Sequence, residues 1–369
     1  MPREDPLPDP PPKGEGDDGL DPASKGEGKD GLDPAPKGEG DDGLDPAPKG
    51  EGWGGGLEVI TLGRVGVDLY PEQSGVPLAE VRSFAKSLGG TATNVAVAAA
   101  RLGHRVALIT KVGDDGFGLY VRQALRHFGV DTRWVGTDPH LRTPVVFVEL
   151  YPPDHFPILF YRQPQAPDMN IRLEELDLEA IRQVPILWTT GTGLSDEPSR
   201  TATLAALAAR RRAGTTIHDL DYRAAFWASP EEAGRYARQA LQHATVAVGN
   251  QKEVAVAVGE GEPQEQAGRL VELGVELAVV KLGSTGVLVA AADLVEHVPA
   301  IQVEVVNGLG AGDAFGGALC HGILSGWDPV RTIRFANAAG AIVASQLACA
   351  DVMPTVEEVE ELLERSRVA

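Results

Sequence analysis

Residues 305–318 read Val-Val-Asn-Gly-Leu-Gly-Ala-Gly-Asp-Ala-Phe-Gly-Gly-Ala. The pattern predicts a strand over Ile301–Val306, a stop at Asn307-Gly308, and an amphipathic helix opened by Asp313 and running to about Leu324. The first N–H groups of a helix lack intrahelical acceptors, and the macrodipole there is positive, so such a start attracts anions. Gly310, Ala311 and Gly312 let a phosphate come close, because almost no side chain stands in the way. A carboxylate beside that cradle would repel a phosphate, but it suits a base that takes a proton from an attacking hydroxyl. The plainer alternative is a helix start with Asp as a favourable first-turn residue.

Outward from this segment, short β-branched runs alternate with Ala/Leu/Arg-rich helical stretches. Strands are predicted at Glu58–Leu62, Val106–Thr110, Ile186–Thr190, Thr216–Leu220, Thr245–Val248, Leu277–Lys281 and Val287–Ala291. Helices are predicted at Thr93–Leu102, Phe117–Phe128, Pro198–Ala213 and Pro230–His243, with two more after the Asp313 helix. Such alternation gives an α/β fold with a mainly parallel sheet and helices on both faces. Residues 64–88 and 143–162 break the rhythm and read as strands without helices, a small β-structure that could serve as a lid. In open α/β sheets, ligands sit beyond the carboxyl ends of the strands.

The chain divides in two by composition. From Lys13 a twelve-residue unit recurs (KGEGDDGLDPAS, KGEGKDGLDPAP, KGEGDDGLDPAP, then a truncated KGEG before Trp53). With one Leu per copy and no aromatic, it cannot bury enough apolar surface to offset chain entropy, so residues 1–56 are expected to be a disordered acidic tail. That stretch carries 6 basic and 15 acidic side chains, so −9 of the formal −20 lies there and −11 in residues 57–369. An acidic body argues against a nucleic-acid partner. Cys320 and Cys349 match neither a disulfide framework nor a zinc spacing. The longest small-apolar stretch, Ala338–Ala350, is far short of a bilayer span, so no membrane is expected and the body reads as a cytoplasmic enzyme-sized domain.

Other turns carry polar residues at strand ends. Gly63-Arg64-Val65-Gly66-Val67-Asp68 lacks a full dinucleotide fingerprint, and Asp68 reads as an acceptor for substrate hydroxyls or as a solvated turn residue. Gly89-Gly90 precede a helix bearing Asn94, whose amide can both donate to and accept from a polyol. Asn250 and Glu253 share one face of a first helical turn. Together they suit a phosphate and a hydrated Mg²⁺, or simply a capping box. Lys281-Leu282-Gly283-Ser284-Thr285-Gly286 is either a hairpin turn or the floor of a nucleotide site. No Walker A loop and no G-x-S-x-G elbow is present, and His218 and His321 read as structural.

Taken in order, Gly89-Gly90…Asn94, Asn250-x-x-Glu253, Gly283-x-x-Gly286 and Gly310-Ala311-Gly312-Asp313 resemble the ribokinase-like (PfkB) sugar kinases, over about Leu57 to Leu363. The resemblance implies a three-layer α/β/α sandwich with a β-lid that often mediates homodimers, ATP and Mg²⁺ as cofactors, and phosphorylation of a primary hydroxyl. By position it implies Asp313 as base, with Gly310, Ala311 and Gly312 stabilising the transferring phosphoryl. Asp68, Gly89, Gly90 and Asn94 would hold the sugar. Asn250, Lys281, Gly283, Gly286 and Asn337 would line the nucleotide, and Glu253 would meet Mg²⁺ through water. Where many relatives have Asp at the start of the last motif, this chain has Asn307, which puts activation by a monovalent cation in doubt. The stretches GRVGVDLYPEQSGVPL, YPPDHFPILFYRQPQAPD, HDLDYRAAFW and EVVNGLGAGDAFGGALCHG resemble the family's sugar-acid kinases of myo-inositol catabolism. An anionic substrate needs a cation to offset its carboxylate, and Arg162 and Arg223 are the candidates, each equally readable as a surface or ion-pair arginine. Within the family the alternatives are a 2-dehydro-3-deoxygluconate kinase and a fructokinase. From another class there is a non-catalytic sugar-binding protein on the same fold.

Overall fold

A computed structural model describes residues 56–153 and 155–368. The repeats between Lys13 and Gly52, expected to be disordered, lie outside the described residues. The strands are β1 (Val59–Leu62), β2 (Gly66–Pro71), β3 (Phe84–Gly89), β4 (Val106–Gly113), β5 (Val135–Asp138), β6 (Val145–Val148), β7 (Ile158–Tyr161), β8 (Ile186–Thr190), β9 (Thr215–Asp219), β10 (Val246–Asn250), β11 (Leu277–Lys281), β12 (Val287–Ala291) and β13 (Leu294–Val298). The helices are α1 (Thr91–Arg101), α2 (Gly116–His127), α3 (Leu178–Gln183), α4 (Ser199–Arg210), α5 (Pro230–Leu241), α6 (Gln251–Val258), α7 (Pro263–Glu272), α8 (Ala311–Leu324), α9 (Pro329–Ala344) and α10 (Val356–Val368).

Nine strands form one sheet in the order β13-β12-β11-β10-β9-β8-β1-β4-β5. From β5 to β11 every pairing is parallel, and β12 and β13 close the edge antiparallel. Strands buried on both faces need apolar residues at every position, and β1 shows why. Its Val59 packs with α1, α8 and α9, while Ile60 and Leu62 point into the opposite cluster with α3 and α4. Further along that second face, α5, α6 and α7 pack on β10 and β11. The result is a three-layer α/β/α sandwich. The two segments that break the alternation form a separate four-stranded sheet, β3-β2-β6-β7.

Helix α8 differs from expectation. It is not amphipathic but buried along most of its length, from Ala314 to Gly322 with only His321 half-exposed. Its glycines make that burial sterically possible. A Cβ on Gly316 would lie 2.7 Å from the Trp188 ring, and one on Gly317 would run into Ala98 of α1. The helix also begins two residues earlier than expected. Gly310, with φ of 81°, is its N-cap, and Asp313 sits inside the first turn.

The strand expected over Ile301–Val306 is absent. The alternating Ile301, Val303 and Val305 resemble a strand, but they pair with no strand of the sheet. The backbone N–H groups of Val306 and Asn307 donate instead to the Ala344 carbonyl at the end of α9, at 2.9 and 3.2 Å.

Candidate active site

Parallel strands carry their C-terminal ends to one edge of the sheet, and the polar residues gather there. Thr190 of β8 pairs in register with Asp219 of β9, Val248 of β10 with the same Asp219, and Asn250 with Lys281 of β11. The chain leaving β1 brings Arg64 and, through β2, Asp68. Helices α1, α6 and α8 start at the same edge.

At the start of α8 the N–H groups of Gly310, Ala311 and Gly312 donate to no protein acceptor among the described residues, whereas that of Asp313 closes on Gly310 O at 3.0 Å. A Cβ on Gly312 would lie 3.2 Å from Lys281 Nζ, so the ammonium stands beside the cradle. Three free N–H groups and one cation make an anion site. Burial alone would lower the Lys281 pKa, but Asp219, Glu253 and Asp313 outweigh it and hold the ammonium charged.

The Asp313 carboxylate accepts a hydrogen bond from Asn94 Nδ2 at 2.8 Å. Burial pushes its pKa up to about 6, against the lowering effect of Asn94, with Asp221 adding to the rise and Lys281 and Arg223 opposing it. A carboxylate at that value is ionised near neutrality and still a serviceable proton acceptor. Asp68 is pushed to about 7 by burial, opposed by Arg64 and reinforced by Asp313. Gly89 lies directly against Asp68, where a Cβ would collide with its carboxylate. Gly90, at φ of 101°, passes so close to the Arg64 carbonyl that no side chain fits. Asp68, Gly89, Gly90, Asn94 and Asp313 therefore form one contiguous wall.

Asn250 and Glu253 form a capping box, the plainer of their two readings. Asn250 Oδ1 accepts from Glu253 N at 3.0 Å, and Glu253 Oε2 accepts from Asn250 N at 2.8 Å. Among the described residues this leaves the second Glu253 oxygen uncommitted. Burial raises the Glu253 carboxyl, with Lys281 opposing. Farther out, Gly286 (φ 117°) packs its backbone against Val298 and Ala300, and Asn337 Nδ2 donates to the carbonyls of Val298 and Pro299 at 3.3 and 3.0 Å. Gly283, at φ of 62°, begins the open turn between β11 and β12. Asn337 thus frames this groove, its amide already tied to the chain.

Both candidate arginines are paired. Arg162 closes on Asp168 with two hydrogen bonds, 2.6 and 3.2 Å, and Arg223 meets Asp221 at 3.1 Å. Sequence reasoning does not single out Arg64, Asp219 or Asp221. Asp219-Leu220-Asp221 directly after a β-branched run is an available signal, because acidic residues ending a buried strand are costly unless they serve charge partners. Burial alone would raise Asp221; Arg223, Arg64 and the Thr192 hydroxyl hold it below the usual carboxylate range. His218 is structural: it is buried in β9 against the Thr189 hydroxyl, and burial lowers its pKa to about 4.

Comparison with known proteins agrees with this geometry. Residues 57–356 match the pfkB family carbohydrate kinases. A 5-dehydro-2-deoxygluconokinase of Photobacterium profundum is 35% identical over 316 residues, covering 84% of this chain and 95% of that protein. One of Shouchella clausii is 32% identical over 316 residues, with 84% and 97% covered. A crystal structure of a fructokinase double mutant of Vibrio cholerae O395, bound to fructose, ADP and potassium ion, has a TM-score of 0.75 at 28% identity, covering 84% of this chain and 99% of that one. With a cradle of free N–H groups, a buried carboxylate beside it and a family match over residues 57–356, the chain belongs to the pfkB family of carbohydrate kinases.

Proposed function

We propose that this kinase transfers the γ-phosphoryl group of ATP to the primary hydroxyl of 5-dehydro-2-deoxy-D-gluconate, giving the 6-phosphate, in myo-inositol catabolism. The observation that carries the transfer is Asp313, ionised and held by Asn94 beside three free N–H groups. The substrate choice is supported by relatives of that name at 35% and 32% identity over nearly their full length.

In this reading Asp68, Gly90 and Asn94 fix the sugar so that its primary hydroxyl faces Asp313. Asp313 takes the proton as the hydroxyl oxygen attacks the γ-phosphorus, and the bond from that phosphorus to the β,γ-bridging oxygen breaks, releasing ADP. The N–H groups of Gly310, Ala311 and Gly312 and the Lys281 ammonium stabilise the charge on the transferring oxygens, which is where such sites gain most of their rate. In this reading the nucleotide lies over Gly283 and Gly286 toward Asn337. Glu253 suits Mg²⁺ held through water, because one of its oxygens is fixed by Asn250 and the other is uncommitted. Held there, Mg²⁺ would supply charge neutralisation on the nucleotide's phosphates. Arg162 and Arg223 lie at the sugar end of the site, each in an ion pair with an aspartate.

The four-stranded sheet is the lid over this site. Its outer side carries Phe84, Phe147 and Tyr161 in edge-to-face contact, with Leu159 and Tyr161 exposed by 46% and 63%, a surface suited to a homodimer. Among the described residues no helix is long and apolar enough to cross a membrane, and a cytoplasmic site of action fits the absence of a disulfide framework. The acidic tail takes no part, so a chain starting at residue 57 keeps its turnover.

An ADP-coupled assay tests the proposal, with 5-dehydro-2-deoxy-D-gluconate, 2-dehydro-3-deoxygluconate and fructose compared at equal concentration. The first is expected to have the highest kcat/KM. A higher value for either of the others would reassign the substrate, and no ADP from any sugar or sugar acid would revive a non-catalytic binding role.

A further inference from the structure

Beside the buried Arg64 guanidinium stand those of Arg162, also buried, and Arg223, partly exposed, and the latter two are already matched. Arg162 is closed on Asp168, and Arg223 is paired with Asp221. Arg64 is different. Its Nε donates to the Thr192 hydroxyl at 3.2 Å, and the nearest carboxylate oxygen, Asp221 Oδ2, stands 3.9 Å from Nη2, outside hydrogen-bond reach. Asp221 Oδ2 accepts from the Thr192 hydroxyl at 2.7 Å, and Asp221 Oδ1 stands 3.1 Å from Arg223 Nη2. Asp168, already held by Arg162 and the Val65 N–H, and Asp68 are the other carboxylates within electrostatic reach of Arg64, and burial favours the neutral form of Asp68.

The Arg64 side chain is only 7% exposed, and it lies against Phe160 and Phe226, with Cζ 5.8 and 5.5 Å from their ring centres. Aromatic walls hold a guanidinium plane in place without consuming its N–H donors. The corner therefore holds a positioned fork whose terminal N–H groups have no acceptor at hydrogen-bond distance among the described residues. A buried, under-compensated charge is expensive unless a partner arrives. Burial and the fields of Arg162 and Arg223 disfavour the Arg64 cation, while Asp221 and, more weakly, Asp168 favour it. A ligand anion would relieve the imbalance.

We propose that Arg64 is the specificity-determining residue that takes the substrate's carboxylate, with Arg162 and Arg223 shaping the corner through their own ion pairs. The proposal rests on the sugar-acid reading above. A carboxylate matches the planar fork two N–H groups at a time. Asp68 interacts electrostatically with both Arg64 and Asp313, so the two ends of an extended sugar acid can span them: carboxylate on Arg64, primary hydroxyl on Asp313.

The test is the ratio of kcat/KM for the sugar acid to that for its neutral analogue, in which the carboxylate is reduced to an alcohol. It is measured in the full-length enzyme and in Arg64→Met, Arg64→Lys and Arg223→Ala. Arg64→Met is expected to lower the ratio roughly 10- to 100-fold, the size of a lost hydrogen-bonded ion pair, with Arg64→Lys between it and the parent. An equal fall on both substrates would make Arg64 a structural residue, and a larger fall in Arg223→Ala would move the carboxylate contact there; either overturns the assignment. Thermal unfolding and KM for ATP show whether each variant is folded. If Arg64→Met is not, Arg64→Lys carries the ratio test, because it keeps the charge and loses the fork. Parent enzyme that turns over only the neutral analogue refutes the sugar-acid reading itself, and the Arg64 assignment with it.

Discussion

Asn94 Nδ2 donates to Asp313 Oδ2 at 2.8 Å, joining the first turn of α1 to the first turn of α8. The two residues are 219 positions apart, and their contact sets the protonation behaviour of the proposed base. Burial raises Asp313 to about 6, and the Asn94 amide, by donating to the ionised form, keeps it from rising further. As the base must be ionised, kcat/KM is expected to climb through a limb near pH 6. Asn94→Ala removes the donor, so the limb should move to higher pH; an unmoved limb would detach the titration from Asp313. Asp313→Ala is expected to lower kcat roughly 100-fold or more while ATP still binds.

Gly310 tests the cradle. Its φ of 81° lies in the left-handed region, and a Cβ there would stand 2.5 Å from Cys349 Sγ. Two costs therefore fall on Gly310→Ala, backbone strain and a clash with a buried thiol. The substitution should lower kcat by at least about 10-fold, because misplaced N–H groups lose their aim at the transferring phosphoryl. Adding Cys349→Ala removes the Sγ contact but leaves Cβ 2.8 Å away and takes the 2.7 Å partner from the Tyr70 hydroxyl, so turnover should recover little. Full recovery would mean that the left-handed turn itself is unimportant.

The division between what the sequence makes legible and what it does not follows the range of the interactions. Gly310 to Asp313 can be read because cradle, cap and carboxylate lie within one turn. The Asn250–Glu253 box can be read for the same reason. Arg64 cannot: its partners, Thr192 and Asp221, are 128 and 157 positions away, and only the sheet order brings them together. Likewise Arg162 gives no sign that Asp168, itself bonded to the Val65 N–H, claims it. The strand expected over Ile301–Val306 shows the opposite failure. Its period-two pattern is real, but the Val306 and Asn307 N–H groups take their acceptor at the end of α9 rather than from a neighbouring strand.

Asn307 bears on ion dependence. Its side chain is fully buried, with Nδ2 donating to the Leu347 carbonyl at 2.7 Å and Oδ1 accepting from Leu309 N at 3.0 Å. A neutral amide offers no charge to a cation, and its NH₂ group occupies a carbonyl that could otherwise serve as a ligand. Turnover is therefore expected to be the same, within about twofold, in potassium and in tetramethylammonium chloride at fixed ionic strength. A marked dependence on potassium would place a cation site elsewhere in this loop.

Asp68 carries a stability cost that serves binding. Its pKa is about 7 in the folded chain against an ordinary value of 3.8. Below pH 3.8 both states are protonated and the residue has no effect. Between 3.8 and about 7 the unfolded chain releases the proton and the folded chain keeps it, so stability falls as pH rises. Above about 7 the penalty is complete. Asp68→Asn removes the titration and keeps the shape. It should raise stability by on the order of 1 kcal/mol at about pH 8, discounted for the side chain's partial exposure. At about pH 3.5 the same substitution should change nothing. Urea unfolding at the two pH values checks the sign, and a variant equally stable to the parent at both would show that the Arg64 field already compensates the buried carboxylate. The gain in stability is expected to come with a higher KM for the sugar, since an amide accepts fewer hydrogen bonds from hydroxyls than a carboxylate does.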